Sequence, residues 1–362
     1  MSLTIKLSHI IENKTQQGFM LDVEVSLPVN SHVVGVFGES GAGKSSLLKH
    51  IAGIGQAKQK KIHYNNDDIT ALLPENSPCC YQNQQGFLFP HLTVKENLLL
   101  ILTHGNFSSA IPFSFDEVVN WCNLSTLLEQ NVSTLSGGEI QRIAFARSLL
   151  SGKSLILLDE PFSALDWQAR EKMLRMIPWL NSHYAIEFII VSHSLRELSL
   201  VASYVVLLKQ GKVLKQGLSN EIITRFSTEH GGENGQQAVT ALRGKVVERL
   251  EKYQLLNVLL DGETEQTVTV HADKHMSEIA PSNSVLLSLN ANKVSLSKTK
   301  PSMTSIVNLL EVKVAKIERF SSHALITLTL NEQLILAEIS LMSLDKLTLA
   351  VDEQVYAQFK VL

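Results

Sequence analysis

Residues 38–45 read GESGAGKS and fit the spacing GxxxxGK[ST] at every fixed position. Glycines at 38, 41 and 43 let the backbone curl so that its N–H groups point inward, which is what a phosphate oxygen needs. Lys44 then neutralises the β- and γ-phosphates of a nucleotide, and the Ser45 hydroxyl can ligate Mg²⁺. Gly38, Glu39, Ser40, Gly41, Ala42, Gly43, Lys44, Ser45 and Ser46 together make the expected nucleotide-binding stretch. A second element, LILLDE (155–160), ends an apolar run on two carboxylates. Asp159 can hold Mg²⁺ through water, and Glu160 can polarise an attacking water as general base. His193 follows a third apolar run, FIIVS (188–192), where it can reach the γ-phosphate.

These groups need elements to carry them. VVGVF (33–37), SLILLD (154–159) and FIIVS are continuous and apolar, as buried parallel strands are. Each is followed by a loop and a helix-patterned stretch, and SLLKHIAG follows the glycine loop directly. Residues 1–228 therefore read as an α/β layered domain. TEHGGENGQQ (228–237) is Gly-rich and polar, and a linker is expected over 229–237. Beyond it, TVTVHA (267–272) and ALITLTL (324–330) alternate with period two, which predicts an all-β domain over 238–362. GKVVERLEKY (244–253) resembles VKVAKIERF (312–320), so two related modules are expected at about 240–297 and 303–362.

Composition bounds the partners. The net charge of −3 offers no basic excess for sequence-independent nucleic-acid binding. Three cysteines, Cys79, Cys80 and Cys122, form no CxxC pair, which suits a reducing compartment. The N-terminal MSLTIKLSHIIENK lacks the pattern of a secretion signal, and no apolar run approaches the roughly 20 residues a bilayer span needs. A soluble cytoplasmic chain is expected, reaching any membrane through a partner.

One stretch remains unexplained by a single cradle: LSGGEIQR (135–142) is a second glycine pair nearly a hundred residues on, and FSALD (162–166) follows the acidic pair. With these motifs in order, residues 33–217 resemble the ATP-binding subunits of ABC transporters. The resemblance implies an α/β P-loop ATPase domain of the ABC type with a helical subdomain, working as a homodimer on ATP and Mg²⁺. It implies that Ser136, Gly137 and Gly138 cap the γ-phosphate held by the other copy, through a hydroxyl and the N–H groups of a helix N-terminus. Asp166 lies in the adjoining FSALD segment. Counting back seven residues from His91 makes Gln84 the glutamine expected near metal and attacking water, with Gln82 and Gln85 as competitors. The position usual for an adenine-stacking aromatic holds Gln16, and the nearest aromatic is Phe19.

A cassette followed by two small β-modules resembles the importer subgroup for molybdate, sulfate, polyamines and maltose. The last module looks most like the oxyanion-binding, OB-like barrel of molybdate importers, so the resemblance implies import of molybdate or tungstate. The alternatives are another importer substrate such as sulfate or a polyamine, or a non-transport ABC ATPase. The implied partners are integral-membrane permease subunits and, indirectly, a periplasmic or extracellular substrate-binding protein, with no nucleic acid. The implied location is the cytoplasmic face of the inner membrane, peripherally. Thr304, Ser305, Ser340 and Lys360 match the oxyanion pattern. Val307 replaces its Arg, Val312 its Gly and Val361 its hydroxyl residue. Without that Arg fork, the tail is expected to serve structure and dimerisation rather than tight oxyanion binding.

Overall fold

A computed structural model describes residues 2–11, 19–28, 32–55, 57, 59–104, 112–230, 237–262, 265–272 and 284–362. Most of the expected linker, and Gln16, lie outside the described residues. The chain forms two compact units, one of Met1–Ser194 with Ala202–Gln216 and one of Leu195–Val201 with Gly217–Leu362.

The first unit is built on a ten-stranded sheet in the order β5-β4-β1-β2-β10-β9-β3-β8-β7-β6. Its central strands are β3 (Val33–Phe37), β8 (Glu187–Val191) and β7 (Leu155–Asp159), every residue of which is buried. They pair in parallel with one another and with β6 (Cys79–Gln82) and β9 (Tyr204–Lys209). A strand covered on both faces has no polar side to show, which is why these runs are apolar apart from Asp159 and Glu187 at their ends. On the other side lie β1 (Leu3–Ile11), β2 (Phe19–Leu27) and β4 (Gln59–Tyr64), joined antiparallel. In β2 buried and exposed residues alternate from Met20 to Leu27, so one face meets the core and the other water. Two further strands are β5 (Asp67–Asp68) and β10 (Lys212–Leu218).

Helix α1 (Lys44–Ile51) starts on the glycine loop and buries Leu47, Leu48 and Ile51 against the sheet. The helical subdomain gathers α2 (Val94–His104), α3 (Phe115–Trp121) and α4 (Gly137–Leu150), with α5 (Trp167–Tyr184) following β7. Ser114 and Ser136 each form reciprocal caps, with Glu117 and Glu139 three residues on. Phe113, Trp121, Trp179 and Tyr184 pack edge-on or tilted, with ring centroids 5.1–5.7 Å apart.

In the second unit, α6 (Leu195–Val201) and α7 (Ser219–His230) pack on the β-sheets, although α6 and most of α7 fall within the span 1–228 that composition groups with the cassette. Side-chain hydroxyls explain the attachment. Thr224 Oγ1 accepts from the Ala241 N–H at 3.2 Å, Ser227 Oγ from the Val239 N–H at 3.3 Å, and Ser199 meets Ser288 at 2.6 Å. A four-stranded sheet in the order β13-β12-β11-β14 and a five-stranded sheet in the order β15-β19-β16-β17-β18 share one apolar core. The strands are β11 (Val239–Leu250), β12 (Leu255–Leu260), β13 (Thr267–His271) and β14 (Ser284–Asn290) in one sheet. In the other they are β15 (Ser295–Ser297), β16 (Asn308–Arg319), β17 (His323–Leu330), β18 (Gln333–Ser340) and β19 (Gln354–Phe359), with α8 (Leu341–Leu347) between the last two. The internal similarity has a structural counterpart. Strands β11 and β16 are each 12 residues long, and each shifts register at the same point of the matching segments, between Val246 and Glu248 and between Val314 and Lys316. An extra residue there bends both strands alike.

Candidate functional site

The glycine loop leaves β3 and ends at Gly43, which caps α1 with φ +97°. A side chain there would be strained in conformation, and its Cβ would lie 2.8 Å from Leu21 Cδ1 and 3.3 Å from the Phe19 ring. Phe19 therefore stands beside the loop. Lys44 is buried, and its ammonium donates to the carbonyls of Gly38 at 2.7 Å and Glu39 at 2.8 Å. Burial lowers its pKa, while the Glu160 and Asp159 carboxylates pull it back up. A cation held this way by loop carbonyls is ready to exchange them for phosphate oxygens.

Asp159 ends β7 and is buried. Tyr81 Oη, from the neighbouring strand β6, donates to its Oδ2 at 3.0 Å, and burial raises the tyrosine pKa first, with Asp159 reinforcing the shift. Glu160 sits at φ +46°, a left-handed conformation that non-glycine residues seldom adopt. Its N–H donates to the Val191 carbonyl at 3.1 Å, which fixes the turn against the end of β8. Two groups converge on its carboxylate: Gln84 Nε2 donates to Oε2 at 2.9 Å, and His193 Nδ1 lies 3.4 Å from Oε1. Of the three candidate glutamines, Gln84 is thus the one bonded to Glu160. Gln82 is buried with neither amide atom bonded among the described residues, and Gln85 is exposed.

The structure therefore brings Lys44, Asp159, Glu160, Gln84 and His193 into one neighbourhood at the ends of the parallel strands. Ser136 and Asp166 form hydrogen bonds within their own turns. Ser136 Oγ accepts from the Glu139 N–H at 3.3 Å, while the Ser136 hydroxyl and N–H donate to Glu139 Oε2 at 2.7 and 2.8 Å and hold that carboxyl below the usual carboxylate range. Gly137 and Gly138 form the first turn behind this cap. Asp166 caps α5 by accepting from the Ala169 N–H at 3.0 Å.

Two α4 residues escaped sequence reasoning. Gln141 is 4% exposed and bonds three separate groups. Arg147 donates to the carbonyls of Gly86 and Phe87 at 2.7 and 2.9 Å. Gln141 belongs to the polar run that follows the glycine pair and Arg147 to the apolar stretch after it, but nothing local says that they face inward.

In the second unit, Thr304 Oγ1 accepts from the Ile306 N–H at 3.1 Å, and Ser340 Oγ caps α8 by accepting from the Ser343 N–H at 3.0 Å. Asn308 is buried and ties β13 to the C-terminal end: its amide donates to the Thr269 and Lys360 carbonyls, and its oxygen accepts from the Thr269 N–H. Val307 is 56% exposed.

A glycine-loop cradle and a strand-end carboxylate pair on a mixed sheet, with a capped glycine pair opening a separate helix, define an ATP-binding cassette ATPase. Residues 22–163 match the family model described as ABC transporter, and residues 304–361 match the TOBE domain. Solved structures agree in fold. The dimeric post-hydrolysis state of an ATP-binding cassette bound to ADP and Pi superposes with TM-score 0.53 at 23% identity, covering 60% of this chain and 98% of that one. A nucleotide-free cassette from an ABC transporter gives TM-score 0.53 at 20% identity, over 63% and 96%. Whole-length relatives are more specific. The molybdenum import ATP-binding protein ModC of Rhodopseudomonas palustris (strain HaA2) is 32% identical over 95% of this chain and 91% of that protein. ModC of Brucella abortus (strain 2308) is 33% identical over 93% and 92%. The chain belongs to the family of molybdenum import ATP-binding proteins, ModC, within the ABC transporter ATPases.

Proposed function

We propose that this protein hydrolyses ATP to power import of molybdate or the chemically similar tungstate through a membrane permease. The convergence of Gln84 and His193 on Glu160, in the same neighbourhood as Lys44, carries the ATPase reading. The cargo rests on similarity to ModC proteins along the whole chain, both sheets of the second unit included.

In this reading the ATP phosphates replace the Gly38 and Glu39 carbonyls as partners of the Lys44 ammonium. Gln84 and His193 hold Glu160 so that its carboxylate takes a proton from water as the water oxygen bonds to the γ-phosphorus. The bond from phosphorus to the β–γ bridging oxygen breaks, and ADP and phosphate leave. The donor set of Ser45 hydroxyl, Asp159 carboxylate and Gln84 amide oxygen fits Mg²⁺, a hard cation that prefers oxygen ligands. When bound, Mg²⁺ supplies charge neutralisation across the β- and γ-phosphates. Ser136, Gly137 and Gly138 serve the nucleotide of a second copy, so the working form is a homodimer that closes on ATP and opens after hydrolysis. Ser136 and Asp166 hydrogen-bond within their own turns, which is compatible with a role toward another chain.

Among the described residues no helix is long and apolar enough to cross a membrane. We assign the protein to the cytoplasmic membrane face, bound to permease subunits that receive cargo from a substrate-binding protein. The TOBE-like tail acts mainly as a structural and dimerisation module. The test of function is ATP-dependent uptake of molybdate into vesicles carrying the protein and its permease. Uptake of sulfate or a polyamine in its place would assign the chain to another importer class.

A further inference from the structure

The segment from Gln84 to Phe87 is docked on helix α4. Gln141 Nε2 donates to the Gln84 main-chain oxygen at 3.2 Å. One and a half turns further on, Arg147 donates to the Gly86 and Phe87 oxygens. Three of the four carbonyls in the segment are therefore held by two side chains of one helix. Gly86 makes the close approach possible: φ is +76°, and a Cβ would lie 2.9 Å from Ile140 Cγ2. The same Gln141 amide reaches the other way. Its Nε2 also donates to Ser163 Oγ at 3.0 Å, and its Oε1 accepts from the Ala164 N–H at 2.8 Å. Ser163 and Ala164 lie just beyond Glu160, and the Ser163 N–H in turn donates to the Glu160 carbonyl at 3.4 Å. One buried amide thus fastens both the glutamine segment and the segment after the carboxylate pair to α4.

We propose that Gln141 is a positioning residue: it clamps the Gln84 and Ser163–Ala164 segments to α4 and so sets the Gln84 side chain against Glu160. The clamp rests on the reading of Gln84 and Glu160 as the hydrolytic centre. It adds a physical link, because α4 begins at the glycine pair assigned to the other copy's nucleotide. A tilt of α4 moves the backbone that carries Gln84 in the same chain. Burial strengthens the clamp, since an amide released inside this site loses water as well as its partners.

The test uses the full chain and four variants: Gln84→Ala, Gln141→Ala, Gln141→Glu and the Gln84→Ala/Gln141→Ala double. Steady-state ATPase, nucleotide affinity, melting temperature and amide exchange over residues 83–88 are measured for each. Gln141→Ala should lower kcat by about ten- to a hundredfold, the scale of a misplaced reacting group. Nucleotide affinity should hold within roughly twofold, because the Lys44 cradle is untouched. Exchange over residues 83–88 should quicken. Once the Gln84 side chain is gone there is no Gln84–Glu160 contact left for the clamp to set, so the part of the loss that runs through that contact cannot recur and the second substitution should add less than about twofold. Should Gln141→Ala fail to fold, Gln141→Glu carries the test: it keeps the acceptor for Ala164 but loses both N–H donors, and the same losses are expected. Losses that multiply in the double variant, or unchanged exchange over 83–88, overturn the clamp alone. Wild-type turnover in Gln84→Ala overturns the reading of Gln84, and the catalytic consequence of the clamp with it.

Discussion

Glu160→Gln keeps the shape of the side chain and removes its basicity. In the structure the carboxylate accepts from Gln84 Nε2 and faces His193 Nδ1, and a carboxamide oxygen can take the Gln84 bond in its place. The Lys44 bonds to Gly38 and Glu39 do not involve Glu160, so the nucleotide cradle stays intact. The negative charge is lost close to where phosphate must sit, which relieves repulsion and should leave ATP affinity equal or higher. Turnover should fall about 10²–10⁴-fold, the usual contribution of a positioned general base. At 1.36 kcal/mol per decade this is roughly 2.7–5.4 kcal/mol of lost transition-state stabilisation. The assay pairs phosphate release with equilibrium binding of a fluorescent ATP analogue. Sizing in ATP should show a long-lived dimer, because a site that cannot hydrolyse cannot reopen. Turnover within about threefold of the wild type would remove Glu160 from the base role.

Four further outcomes follow from the same geometry. Mixing a Lys44→Ala chain with a Ser136→Arg chain, each inactive alone, should restore ATPase activity, since the mixed dimer holds one intact composite site; no recovery, together with no ATP-driven dimerisation, contradicts shared sites. Gln82 is buried with neither amide atom bonded among the described residues, so Gln82→Leu should raise the melting midpoint, a gain of roughly 1–3 kcal/mol in stability, and a lower midpoint would mean the amide has a partner in solution. The capping carboxylates Glu96, Glu117 and Glu139 are all held below their ordinary value of 4.5 by hydrogen bonds from Thr93, Ser114 and Ser136. Their stabilisation is complete above pH 4.5 and is lost as pH falls through the lowered folded-state values, so Glu139→Gln should flatten the acid limb of the stability curve, and an unchanged limb would count against it. Calorimetry of the full chain with molybdate should show at most weak binding to the tail, and tight stoichiometric binding lost on Lys360→Ala would restore a sensor role.

The residues proposed to hold phosphate were legible because their chemistry is local. A glycine loop between a strand and a helix must present N–H groups inward, and Lys44 and Ser45 can be numbered from it without knowing the fold. Asp159 and Glu160 were legible for the same reason, as carboxylates at the end of a strand with no polar side. The choice among Gln82, Gln84 and Gln85 was not, because side chains in a turn point where tertiary packing sends them. Tyr81 shows the limit from the other side: its hydroxyl reaches Asp159 across a strand pairing that joins residues almost eighty positions apart. Gln141 was hidden in plain view, since a glutamine in the second turn of a capped helix looks like solvated surface until Gln84, Ser163 and Ala164 close around it. Helices α6 and α7 follow the cassette in sequence, yet their hydroxyls and apolar faces are matched to β11 and β14, which no local pattern reveals.

The central claim is that ATP turnover at this site drives import of molybdate. The most direct measurement places the protein with its permease in vesicles and follows molybdate uptake and phosphate release together. ATP should drive uptake of molybdate and not of sulfate, and Glu160→Gln should abolish uptake and release alike. Phosphate release that proceeds without molybdate uptake, or uptake that survives Glu160→Gln, would contradict the account.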